Sequence, residues 1–144
     1  MARRGNTKVA LMRKVPLFDG LTDQQLTQIG RLADDVEVPV GKRLATTGET
    51  GRQMFIIVSG RAAVKTPRGR TIRLGAGDFF GEMSLLDGAP RSATVTAETE
   101  MQLLVLAQRE FWELLAEAPA ISRKIMSTLS KRLREVNAEY SPCA

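Results

Sequence analysis

Histidine is absent from the chain, cysteine occurs once, and no apolar run approaches the roughly 20 residues that span a bilayer. Each absence removes a class of function. Without histidine, neither a Ser-His-Asp triad nor a Cys-His pair can be assembled. Imidazole metal ligation is lost too, and one thiol cannot supply a structural zinc site. A metal-binding double-stranded barrel with inward histidines is therefore excluded. Cys143 has no second cysteine with which to form an internal disulfide, so a reducing compartment and a cytoplasmic location are expected. The N-terminal Met1-Ala2-Arg3-Arg4-Gly5 is basic, but no apolar stretch follows, so it does not read as a secretory signal. With no spanning segment, no membrane partner is expected.

What remains is a chain of 144 residues, enough for one domain with one core. Its 43% apolar content and 12 regularly placed glycines argue for a folded globular chain. The net charge is +5, from 21 Lys and Arg against 16 Asp and Glu. The basic residues cluster at the ends: Arg3, Arg4, Lys8, Arg13 and Lys14, then Arg123, Lys124, Lys131, Arg132 and Arg134. Nucleic acid or an acidic partner would suit that charge. A solvated basic face suits it as well and is the reading adopted, because no DNA-binding motif accompanies the clusters.

Three stretches organise the chain. The first, about 6–34, reads as helical, with a short basic helix over Lys8–Lys14. Thr22 and Gln25 fit a capping box, and Leu26, Ile29 and Ala33 follow at helical spacing. The second, about 36–106, reads as all β. Val36, Val38 and Val40 alternate with Glu37 and Pro39 as in a half-buried strand with a proline at its edge. Met54–Val58 is a continuous apolar run, as in a strand buried on both faces. Pro67-Arg68-Gly69 reads as a hairpin turn between Ala62–Thr66 and Arg70–Leu74. Ser92–Ala97 and Met101–Leu106 are expected to pair across Glu98-Thr99-Glu100. Seven or eight short strands at this spacing predict a closed antiparallel jelly-roll β-barrel. The third stretch, about 108–140, is helical again. Gln108–Glu117 carries Phe111, Trp112, Leu114 and Leu115, and Pro119 opens a last helix running to about Tyr140. On that helix Met126, Leu129, Leu133, Val136 and Tyr140 recur at coiled-coil spacing, while Ile121 and Ile125 widen the apolar face. A helix packed on its own barrel and a homodimer seam both fit this pattern.

The most informative segment is Phe80–Val95, which reads Phe-Gly-Glu-Met-Ser-Leu-Leu-Asp-Gly-Ala-Pro-Arg-Ser-Ala-Thr-Val. It predicts a strand end, a glycine, one helical turn, a Gly/Pro loop and a second strand opened by Arg91. Free N–H groups at a helical start bind anionic oxygens. A guanidinium fork holds a phosphate through two parallel hydrogen bonds, and the Glu82 carboxylate can accept from a ligand hydroxyl. A phosphate beside a sugar hydroxyl points to a nucleotide.

This loop resembles the phosphate-binding cassette of the cyclic nucleotide-binding domain family, which includes the catabolite activator protein, the regulatory subunits of cyclic-nucleotide-dependent kinases and cyclic-nucleotide-gated channels. Both halves of the pattern are present, Phe80-Gly81-Glu82-Met83-Ser84-Leu85 and Pro90-Arg91-Ser92-Ala93-Thr94-Val95, with Gly81 and Arg91 ten residues apart. Met83 stands where many members have Leu or Ile, and Ser84 where many have Ala or Gly. Val15-Pro16-Leu17-Phe18, the glycines Gly41, Gly48 and Gly51, Met54–Gly60 and Leu74–Phe80 also resemble the family, so the likeness covers about Val15 to Tyr140. It implies one domain over 1–144, mainly β, with N-terminal helices, a jelly-roll barrel and two C-terminal helices.

The resemblance also implies roles. Arg91 would bind the exocyclic oxygens of a cyclic phosphate, aided by the backbone N–H groups of Ser84 and Leu85 in the turn that Met83 shares. Glu82 would accept from the ribose 2′-hydroxyl, and Gly81 would let the backbone approach the sugar. Ser92 would donate to the phosphate or the base edge; a serine after the arginine favours cyclic AMP while leaving cyclic GMP open. Glu49 sits where relatives carry an acid that orients the arginine. Val136 and Asn137 would cover the base from the last helix, Asn137 through its side-chain carbonyl, although a solvated Asn137 fits equally. No cofactor and no catalysis are expected. The catabolite activator type adds a winged helix-turn-helix after the last helix, whereas this chain ends at Ser141-Pro142-Cys143-Ala144. A regulatory module acting on an effector protein or a fused effector domain is expected. A jelly-roll protein-interaction module with a vestigial pocket is the alternative.

Overall fold

The computed structural model describes the backbone of residues 3–140 and the side chains of residues 8–134. Helix α1 (Arg3–Met12), one 3-10 turn (Pro16–Phe18) and α2 (Asp23–Leu32) lead into the strands. These are β1 (Asp34–Val38), β2 (Arg43–Ala45), β3 (Gln53–Ser59), β4 (Ala62–Lys65), β5 (Thr71–Leu74) and β6 (Phe79–Phe80). A short helix, α3 (Glu82–Asp87), separates them from β7 (Thr94–Ala97) and β8 (Met101–Ala107). Helices α4 (Gln108–Glu117) and α5 (Pro119–Tyr140) follow.

Local chemistry sets the helix ends. The Thr22 hydroxyl accepts from the Gln25 N–H at 3.1 Å, and the Gln25 side chain accepts from the Thr22 N–H at 2.9 Å, the capping box that starts α2. At the other end of α2, Lys8 donates to the Gly30 carbonyl at 2.5 Å and to that of Ala33. It satisfies carbonyls that the helix itself leaves open. Helix α1 begins earlier than the expected Lys8 and stops at Met12, shortly before Val15-Pro16, where proline disfavours helical backbone in the preceding residue.

The strands form two antiparallel four-stranded sheets, ordered β1-β8-β3-β6 and β2-β7-β4-β5. The mainly β jelly-roll architecture with flanking helices is therefore present, but the expected closure into a barrel is not. Every connection except β4–β5 carries the chain from one sheet to the other. Four of these crossings turn at left-handed glycines, Gly41, Gly48, Gly60 and Gly77, which break the ladder where it would have to continue around a barrel. The same crossings correct two further expectations. β7 and β8 do not pair: β7 lies between β2 and β4, and β8 between β1 and β3. Their inward residues, among them Val95, Ala97, Leu103 and Val105, meet across the space between the sheets instead. β1 also ends at Val38, since Pro39 has no N–H to continue the ladder, and Val40 is exposed. The Pro67–Gly69 turn is as expected, closed by the Thr66 N–H donating to the Arg70 carbonyl at 2.9 Å.

The apolar run in β3 serves two cores. Phe55 and Ile57 face the second sheet, with Leu103 and Val105 of β8. Met54, Ile56 and Val58 face the helices, with Leu104 and Leu106, Leu26, Ile29, Phe111 and Leu114. Alternation of side chains along a strand thus makes the first sheet the middle layer of the molecule. Ile121 and Ile125 fix α5 to the helical core, whereas Met126 and Leu133 are each 60% exposed on another face of the same helix. Of the seam, Leu129 packs on the helical core beside Ile121 and Ile125, and Met126 and Leu133 face outward. The seam's Val136 and Tyr140 side chains lie outside the described residues.

Candidate functional site

β6 delivers the chain to the site. Phe80 pairs with Phe55 of β3 and stacks on it, ring centroids 4.8 Å apart. Gly81 then adopts φ 90°, and a Cβ there would lie 2.7 Å from the Gln53 carbonyl oxygen and 2.8 Å from a guanidinium nitrogen of Arg91. Both the conformation and the crowding call for glycine. Helix α3 follows, and as in any helix the N–H groups of its first turn, Glu82 to Ser84, have no intrahelical acceptor. Leu85 and Ser84 are buried, Met83 and Leu86 exposed, so the turn is anchored on one side only. Gly88 ends it, donating to the Ser84 carbonyl at 3.0 Å.

Arg91 returns the chain to the same place. Its backbone N–H donates to the Glu49 carbonyl at 2.8 Å, and its own carbonyl accepts from Gly48 at 2.9 Å. The side chain is only 9% exposed. Nη1 donates to the Gly81 carbonyl at 2.9 Å and Nη2 to that of Gln53 at 2.6 Å. The guanidinium carbon stands 6.0 Å from the Phe55 ring centre. A Cβ on Gly51 would collide with this guanidinium, so the glycine there makes room for it. Burial pushes the Arg91 pKa down and the Glu82 carboxylate opposes that shift. A guanidinium carries five N–H donors, of which these two carbonyls engage two.

Glu82 is 1% exposed. One oxygen, Oε1, accepts from Nη1 of Arg132 at 2.9 Å. The other, Oε2, is buried with no hydrogen-bond partner among the described residues. Burial raises the carboxyl's pKa; the charges of Arg132 and Arg91 and a bond from its own backbone N–H pull it the other way. Arg132 is tied down further. Its Nη2 donates to the Phe79 carbonyl at 2.7 Å, and its guanidinium carbon lies 5.0 Å from the Phe79 ring centre. Helix α5 is thus pinned to both ends of the Phe79–Glu82 segment by one side chain. Lys124, two turns earlier, donates to the carbonyls of Asp19 at 2.7 Å and Pro16 at 3.2 Å.

Gly81, Glu82, Met83, Ser84, Leu85 and Arg91 are gathered within this one loop. Ser92 is exposed beside Arg91, ahead of β7 and not inside a strand. Glu49 meets Arg91 through its backbone carbonyl; no carboxylate–guanidinium bond joins the two among the described residues. Val136 and Asn137 lie on α5, and their side chains fall outside the described residues. Arg132 escaped the sequence reading. It was grouped with the terminal basic residues as a solvated face, yet both it and Lys124 cap carbonyls of other elements. The available signal was the spacing of Lys124, Thr128 and Arg132, which places them on one stripe of the helix, together with the need of a buried Glu82 for a cation.

The raised Glu82 pKa predicts a pH dependence. The folded state holds this proton more tightly than the unfolded chain, whose carboxyl titrates near about 4.3. Through the window from that value up to the folded pKa, the folded state binds more protons, so stability falls as pH rises. Below the window the group contributes no slope. Glu82→Gln should show a flatter melting-temperature profile than the parent on going upward from about pH 4. Parallel profiles for the two proteins would contradict the assignment.

The model of the cyclic nucleotide-binding domain matches residues 35–118. A cyclic nucleotide-gated potassium channel of Rhizobium etli is 45% identical over 122 residues, 85% of this chain and 34% of the channel. The crystal structure of the Thermus thermophilus catabolite activator protein superposes with a TM-score of 0.78 at 32% identity, over 87% of this chain and 61% of that one. A cyclic nucleotide-binding domain from Methylobacillus flagellatus superposes at 0.74 with 26% identity, over 99% of this chain and 85% of that one. The chain spans about a third of the length of the channel relatives it matches.

Proposed function

Since the chain belongs to the cyclic nucleotide-binding domain family, we propose that it is a non-enzymatic sensor of cyclic AMP that acts on an effector through its C-terminal helices. One observation carries this reading. A buried carboxylate oxygen without a partner among the described residues and a buried guanidinium with donors to spare are held at the two ends of one loop, the guanidinium bonded to the residue just before the carboxylate. An unmet buried acceptor calls for a donor, and a ribose 2′-hydroxyl supplies one. The remaining Arg91 donors and the α3 N–H groups suit the phosphate. Ser92, exposed next to Arg91, is available to the phosphate or the base edge, and a serine there supports cyclic AMP over cyclic GMP. Val136 and Asn137 would cover the base, and Glu49 would sit behind the arginine. A relative from Thermus thermophilus, 32% identical over 133 residues, is named a cyclic AMP receptor protein.

The output follows from Arg132. A ligand that draws Glu82 and the Phe79–Glu82 segment into new bonds changes what holds α5 in place, because Arg132 joins all three. The ligand shifts the helix only by its differential affinity for the two positions. The exposed Met126 and Leu133 face would then pass the change to a partner, to a fused effector domain or to a second copy.

Calorimetric titration of nucleotide-free protein with cyclic AMP, cyclic GMP and linear 5′-AMP tests the reading. Micromolar or tighter binding of cyclic AMP is expected, with cyclic GMP weaker and the linear nucleotide weaker still. Binding of none of the three would leave the fold in place and transfer the function to protein interaction.

A further inference from the structure

We propose that the outer face of the β2-β7-β4-β5 sheet is a docking surface for the anionic headgroups of a phospholipid bilayer. The expectation of no membrane partner rested on the lack of a spanning segment, a criterion that takes no account of surface charge. No helix among the described residues is long and apolar enough to cross a membrane, so the contact meant here is peripheral.

The face is defined by register. Ala45, Ala62, Val95 and Ala97 are buried, and Val64 and Leu74 pack with them against the first sheet. Their neighbours along β4, β5 and β7 therefore point outward; in β2 a register shift lets Leu44 pack inward with Ala45 and leaves Arg43 on the outward row. Arg43, Thr96, Ala63 and Arg73 stand side by side across the four strands. Thr94, Lys65 and Thr71 form the next outward row, and Arg61 lies opposite Glu98 on the other side. Four cations thus share the face with one carboxylate, Glu98, which Arg73 meets at 3.1 Å and Arg61 at 3.8 Å. Arg43 and Lys65 are exposed, and neither meets an acid among the ion pairs of the described residues. Residues 61–77 hold five Lys and Arg and no Asp or Glu. Three acids of the strand region, Asp34, Asp35 and Glu37, lie on β1, an edge strand of the other sheet.

Shape selects among anionic partners. The helices pack on the first sheet, leaving the outer face of the second as a broad surface of threonine and alanine between cations. With strands about 4.8 Å apart, Arg43 and Arg73 are separated by roughly 14 Å across it. That is within about two screening lengths at physiological salt. A nucleic acid would want an element to enter a groove or an aromatic ring for stacking; the outward rows just named contain neither. An array of fixed cations on one exposed face matches an extended anionic surface, where each adds to the attraction. Docked this way, the domain would keep its helical layer, and α5 with it, on the side away from the bilayer.

Co-sedimentation with vesicles at physiological ionic strength decides it. Vesicles of phosphatidylcholine containing roughly one part in three phosphatidylserine should retain the protein, and pure phosphatidylcholine vesicles should not. Arg43→Glu with Lys65→Glu should lower retention at least about tenfold, because both charges face the headgroups. Arg109→Glu with Arg123→Glu makes the same change in net charge on the helices and should leave retention within about twofold. Melting temperature and circular dichroism verify that each variant is folded. Equal losses for the two double variants would overturn the proposal, as would retention by neutral vesicles or tighter retention by a single-stranded oligonucleotide at the same salt. Failure of nucleotide binding in the parent protein would leave this test unaffected.

Discussion

Arg91→Ala should weaken binding of the cyclic nucleotide by at least about a hundredfold, since it removes a charge-assisted, two-pronged contact worth about 3 kcal/mol or more. Arg91→Lys keeps the charge but loses the planar fork, so a smaller loss of ~1–3 kcal/mol, about five- to 150-fold, is expected. The structure adds a second consequence. From sequence alone Arg91 serves only the ligand, and its loss should barely alter stability. In the fold it is nearly buried and bonds the carbonyls of Gly81 and Gln53. Removing it leaves two acceptors short of a donor, which costs about 1–3 kcal/mol of unfolding free energy, part of it recovered if water enters. Urea unfolding without nucleotide measures that term, and calorimetry measures the first. Unchanged affinity would remove Arg91 from the site; unchanged stability would mean that water replaces its bonds in full.

Phe111→Ala should produce the largest stability change, about 3–5 kcal/mol. Phe111 is fully buried in the core shared by α2, α4, α5 and the outer side of the first sheet. Truncation removes its apolar area and leaves a cavity that two helices and a sheet cannot collapse to fill. Leu85 of α3 lies in the same core, so calorimetry on a variant that remains folded should also show weaker nucleotide binding. Loss below about 1 kcal/mol would mean that α4 is not held to the sheet through this ring.

Much of this protein was legible in one dimension because the signals were local. The capping box at Thr22 and Gln25, the Pro67–Gly69 turn, the limits of α4 and the start of α5 depend on residues a few positions apart. Met54–Val58 was readable as a doubly buried strand because neither face leaves room for a polar residue. The cassette was readable for a similar reason. Gly81, Glu82 and Arg91 stand in one loop, and that loop's short path limits how far apart they can be.

Most of the features that were not legible depend on distant partners. Periodicity gives a strand but not its neighbour, so β7 and β8, adjacent in sequence, fall in different sheets. Val40 looked like the third tooth of an alternating strand until Pro39 and Gly41 turned the chain. Composition counts charges without saying what they face. Arg132 and Lys124 read as solvated cations but close carbonyls and a carboxylate 50 to 108 positions away in the chain. Arg43, Lys65 and Arg73, scattered in sequence, become one basic face only through register. The sequence by itself determined the elements, the absence of histidine chemistry and the loop that carries Gly81, Glu82 and Arg91, because these follow from residue type and short spacing. Only the tertiary structure decided that the jelly roll is two open sheets, that Glu82 has one oxygen engaged and the other without a partner among the described residues, and that α5 is fastened to this loop through Arg132. Those are contacts between elements, and their energies depend on burial and distance, which a linear sequence does not carry.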